Sequence, residues 1–71
     1  MNNINEAFAK NAMNNIIAYT LETMVNEAAK AGTAITADDI LAEMHANPEG
    51  NTAKRFTSYM VLGIKTAAES I

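Results

Sequence analysis

The sequence predicts an all-α fold of three helices, assembled as a homodimeric helical bundle, and three observations lead there. Ala, Asn, Met, Leu and Glu fill long segments without the strict alternation of a half-buried strand. Helix breakers cluster in two places, at Gly32 and over residues 48–50. The first segment carries apolar residues on two flanks, more surface than two shorter helices from the same chain can cover. The predicted helices span residues 5–31, 37–46 and 52–69 of a single 71-residue domain, 1–71.

Helix 1 begins near Asn5 and stops at Gly32, a residue able to take the left-handed conformation after a helix C-terminus; Lys30 complements the dipole in the last turn. At 100° per residue, Phe8, Ala12, Ile16 and Tyr19 share one flank. Met13, Ile17, Leu21, Met24, Val25 and Ala28 share another. A helix of that length spans about 40 Å, against roughly 30 Å for helix 3 and about 15 Å for helix 2. The surplus apolar surface predicts a second copy of the chain against Met13, Ile17, Leu21 and Met24. The competing arrangement is a monomer in which helices 2 and 3 cover opposite sides of helix 1.

Helix 2 has the sharpest local signature. With Thr36 as N-cap, Asp39 falls at the third helical position as a short-armed capping box, and Ile35 and Ile40 occupy the positions of a hydrophobic staple. Asp38 and Asp39 also lie where a helix N-terminus favours negative charge. The helix ends near His45 or Ala46, because Pro48 disfavours helical dihedrals at Asn47.

For helix 3, Asn47 with Pro48 at the first position is one possible start; Asn51 or Thr52 as N-cap is the other, preferred because Gly50 and Asn51 are poor interior residues. From there Ala53, Phe56, Met60, Ile64, Ala67 and Ile71 form one apolar stripe, with Lys54, Ser58, Lys65 and Glu69 opposite.

Composition narrows the classes of function. Hydrophobic residues make up 49% and charged residues 18%, a balance that supports folding rather than disorder. The longest wholly apolar run, residues 60–64, is far short of the roughly 20 residues that span a bilayer. The opening Met-Asn-Asn-Ile-Asn-Glu has neither a basic nor an apolar stretch, and there is no cysteine, so the expected location is the cytoplasm. Seven acids against two lysines give residues 1–50 a charge of −5; three basic residues against Glu69 give residues 51–71 a charge of +2. The net −3 disfavours non-specific binding to a polyanion.

No residue pattern carries catalysis. His45 is the only histidine and falls into no metal-ligand spacing. Asp38 and Asp39 are adjacent on a helix, about 100° apart, and do not converge as an acid–base pair. The glycines, at 32, 50 and 63, form no phosphate-binding loop. The expectation is therefore no enzyme, no metal and no cofactor.

Two binding functions remain. The first is a non-catalytic module that binds a larger protein and modulates or inhibits it, with Tyr19, Tyr59 and Leu62 as anchors because aromatic side chains dominate interface energetics. The second is a helix-turn-helix DNA-binding regulator, in which helix 3 presents Thr52, Lys54, Arg55, Ser58 and Lys65. The scarcity of basic residues and a turn longer than usual weigh against the second.

Overall fold

The computed structural model describes residues 3–69, with side chains from Glu6 onward. Three helices follow one another: α1 (Asn3–Lys30), α2 (Ala37–Ala46) and α3 (Asn51–Glu69), with no strand among the described residues. Ile71, assigned to the apolar stripe of helix 3, lies outside the described residues.

The end of α1 is set by Gly32. Its φ of +88° lets the chain reverse, so that the Thr33 N–H reaches the Ala28 carbonyl at 2.8 Å and the Gly32 N–H reaches that of Ala29 at 3.0 Å. This pair of bonds is a Schellman motif, which satisfies carbonyls left open by the helix end. Ala31 is thereby the C-cap, and α1 closes at Lys30, one residue before the expected stop.

At the start of α2, Thr36 is extended (φ −107°, ψ 168°), and its hydroxyl accepts the Asp39 N–H at 3.1 Å. The Asp39 carboxylate accepts the Thr36 N–H in return at 2.9 Å. The expected capping box is therefore present. Asn47 caps the other end through its N–H to the Glu43 carbonyl, 2.8 Å, and its side-chain amide to the Glu43 carboxylate, 2.9 Å.

The connection to α3 takes residues 47–50, with the Gly50 N–H bonded to the Asn47 carbonyl at 3.0 Å. The Gly50 carbonyl accepts the Lys54 N–H at 3.1 Å, making Gly50 the N-cap in place of the expected Asn51 or Thr52. Local crowding explains this: a Cβ at Gly50 would lie 3.1 Å from that of Asn47 and 3.3 Å from its carbonyl oxygen, so the tight turn fits glycine.

Each helix touches the other two, and the most extensive contact is α1 on α3. Helices α2 and α3 thus meet one another and do not flank α1 on opposite sides. The fully buried side chains are few among the described residues: Thr20 and Ile40 at 2% exposure and Met24 at 4%. They belong to α1 and α2. The expected stripe of α3 is only partly inward, for Ala53, Phe56, Met60 and Ala67 are half-buried while Ile64 is exposed. Length is the cause: α2 spans about 15 Å, α3 about 28 Å and α1 about 42 Å, so α2 covers one end of the α1/α3 pair and leaves roughly 13 Å of it without a third helix.

The shape follows. The chain measures 45 × 24 × 17 Å with a radius of gyration of 13.8 Å, against about 11 Å for a globular chain of this length. Its accessible surface is 5458 Å², roughly 1,200 Å² above the ~4,300 Å² expected of a folded monomer of this mass.

Candidate functional site

Along the α1/α3 contact Gly63 of α3 lies against Ile16 of α1. A Cβ there would lie 2.8 Å from Ile16 Cγ2, so the absence of a side chain lets the helices meet. One turn further on, the buried Thr20 hydroxyl donates to the Met60 thioether at 3.6 Å, which satisfies a polar group that burial would otherwise leave unpaired.

Beside this seam lies an open groove of about 540 Å³ between α1 and α3. Ile16, Leu62 and Gly63 supply its apolar floor and wall; Tyr19 and Tyr59 stand on opposite helices, and the groove receives no residue from α2. Tyr19, Tyr59 and Leu62, singled out in the sequence as partner anchors, therefore line one concavity. Tyr19 and Leu62 are exposed, and Tyr59 is half-buried. Reading the sequence for anchors missed Thr20, Thr23 and Asn15, which add polar atoms to the lining. The feature that could have drawn attention to the seam is Gly63, a helix-weakening residue inside an otherwise regular helical pattern.

A charged cluster closes one end of the contact. Arg55 and Tyr59, one turn apart on α3, converge on Glu27 of α1. The Arg55 guanidinium lies 2.7 Å from one carboxylate oxygen, and the Tyr59 hydroxyl donates to the other at 2.5 Å. The Tyr59 hydrogen bond, with Arg55 adding its charge, holds the Glu27 carboxyl below its ordinary value. The same bond to Glu27, aided by burial, pushes the Tyr59 phenol up. Both side chains of the Glu27–Arg55 pair remain substantially exposed, so its worth is largely orientation of α3 against α1.

The residues expected to contact a second copy divide. Met24 is enclosed within the chain's own core, Ile17 and Leu21 are half-buried, and Met13 is exposed. Of the DNA-reading candidates, Lys54, Ser58 and Lys65 are exposed and Thr52 is half-buried. Arg55 is exposed but held by Glu27. The four-residue connection 47–50 is as short as a helix-turn-helix requires, which removes the objection of turn length. His45 is exposed in the last turn of α2, and no three His, Asp or Glu side chains gather as a metal site among the described residues. None of the described helices is long and apolar enough to cross a membrane.

The chain matches no protein-family model, no curated protein and no solved structure.

Proposed function

We propose that this chain is a small, non-catalytic, cytoplasmic protein-interaction module that acts as a homodimer and modulates or inhibits a larger protein by receiving one of its helices in the α1/α3 groove. The observation that carries the reading is the convergence of Tyr19, Tyr59 and Leu62 on one apolar concavity between two antiparallel helices. That shape suits an amphipathic helix with apolar anchors at i, i+3 or i+4, and i+7. Asn15 adds an exposed polar side chain to the lining, while the Thr20 and Thr23 hydroxyls already donate to Met60 and to the Tyr19 carbonyl. Nucleic acid fits the charges less well, since Arg55 is already engaged by Glu27 and the chain carries −3.

The test compares proteins retained from host lysate by the wild-type chain with those retained by Tyr19→Ala and Leu62→Glu. The reading expects one defined protein held by the wild type, lost from both variants, and lost without change in helicity. The same set on all three baits would refute it. Nanomolar, salt-dependent binding to a defined duplex that Lys54→Ala and Lys65→Ala weaken would install the helix-turn-helix reading instead.

A further inference from the structure

The reverse side of the α1/α3 pair is left without a third helix beyond the reach of α2. Among the described residues, large apolar side chains remain exposed at Phe8, Met13, Tyr19, Leu41, Val61, Leu62 and Ile64. Five of these seven (Phe8, Met13, Val61, Leu62 and Ile64) belong to the open end of the pair, in the first half of α1 and the second half of α3. Helical geometry separates them by face. Val61 and Ile64 lie about 100° and 160° around α3 from Leu62, and Met13 and Ile17 lie about 120° and 160° around α1 from Tyr19. Met13 and Ile17 therefore sit behind the groove, on the α1 stripe that Met24 enters where it buries, and Ile64 sits behind it on α3, while Val61, about 160° around α3 from Gly63, points away from α1.

We infer that a second copy of this chain seats on this reverse face, over Met13, Ile17 and Ile64, with the two copies antiparallel and the open end of one against the open end of the other. The inference rests on the homodimeric reading above and assigns its contact surface. Three quantities select a second copy as the occupant. The roughly 13 Å of the α1/α3 pair beyond α2 accommodates an equal length of α1/α3 from the partner, giving a short four-helix section flanked by the two α2 helices. The surplus surface of roughly 1,200 Å² per chain exceeds the about 800 Å² per partner of a standard stable interface.

Charge agrees. Residues 6–17 and 61–69 carry Glu6 and Glu69 against Lys10 and Lys65, a balance of zero, so the whole net charge of −3 resides on the α2 end. An isologous contact sets each patch against its own copy, and only a neutral patch does so without like-charge repulsion. On α1 the stripe of Met13 and Ile17 also carries Glu6 and Lys10, whose opposite charges cancel within the patch.

Sedimentation equilibrium at micromolar concentration tests the assignment. The wild type should weigh twice 7.6 kDa, Met13→Glu and Ile64→Glu should weigh half as much as the wild type, and Leu62→Glu, on the groove side, should stay dimeric. A monomeric wild type, or dimeric Met13→Glu and Ile64→Glu, would overturn it. Because unfolding could also dissociate the glutamate variants, single-cysteine chains provide a second reading on a protein with no native cysteine. A short bismaleimide should link Ile64→Cys into dimers and leave Leu41→Cys unlinked; the reverse pattern, or no linkage at Ile64→Cys, overturns the assignment. A failed dimer with retained groove-dependent partner capture would remove this inference and leave the protein-binding function standing.

Discussion

At the residue scale, two contacts decide how α1 and α3 are held. Gly63 is placed for its missing side chain: alanine would gain about 1 kcal/mol of helix propensity, yet its Cβ would lie 2.8 Å from Ile16 Cγ2. Overpacking of this kind costs about 1–3 kcal/mol. Gly63→Ala is therefore expected to lower the melting temperature, and adding Ile16→Leu, which removes the β-branch, should recover part of the loss; a melting temperature raised by Gly63→Ala alone would show that the helices are not in close contact there. The Glu27–Arg55–Tyr59 cluster supplies the pH dependence. Glu27, held below its ordinary value near 4.5, contributes stability that is complete above that value and lost as pH falls through its depressed value. Tyr59, raised above 10.0, contributes stability present below that value and lost as pH climbs through its raised one. Tyr59→Phe should shift the Glu27 carboxyl upward while Arg55 keeps it below the ordinary value, as followed by carboxyl-carbon NMR. An unmoved titration would show that the phenol does not reach Glu27.

At the scale of the element, the helices differ in what defines them. α2 is bounded by side chains that bond to their own backbone, so its cap can be removed without touching the core. Thr36→Ala should cost about 0.5–2 kcal/mol, read from urea unfolding with an unchanged m value; a midpoint equal to the wild type would mean that Asp39 alone holds the start. α1 is bounded at its C-terminal end by Gly32, and its buried residues among those described, Thr20 and Met24, lie in its second half. Amide hydrogen exchange on dilute protein should accordingly find the strongest protection between Thr20 and Ala28, where Met24 is buried, and weak protection over residues 6–14. Uniform protection along α1 in dilute protein would show that its first half is held by something other than α3.

For the whole molecule, the governing fact is a deficit of interior. A buried set of Thr20, Met24 and Ile40 among the described residues, beneath a surface of 5458 Å², leaves little apolar burial to oppose the entropy of ordering a chain of 71 residues. The proposed self-association would supply the missing burial and tie stability to concentration. The melting temperature should therefore climb steadily as protein concentration is raised from micromolar to millimolar. A melting temperature independent of concentration would mean that the three helices suffice alone.

The number of helices, the Thr36–Asp39 cap and the reversal at Gly32 were legible in the sequence because each depends on residues within about one helical turn of one another. Three boundaries missed by one or two residues, Asn3 for Asn5, Lys30 for Ala31 and Gly50 for Asn51 or Thr52, since a helix end is chosen by backbone geometry that composition does not encode. The anchors Tyr19, Tyr59 and Leu62 could be selected by chemical type, but that they share a groove depends on the register of α1 against α3. That register is set across tens of residues by the close pass of Gly63 over Ile16 and by Glu27 meeting Arg55 and Tyr59. Likewise the apolar flanks of helix 1 could be counted from periodicity. Only the tertiary structure decided that Met24 belongs to the chain's own core while Met13 stays outside it, because burial is fixed by how far the ten residues of α2 reach along α1.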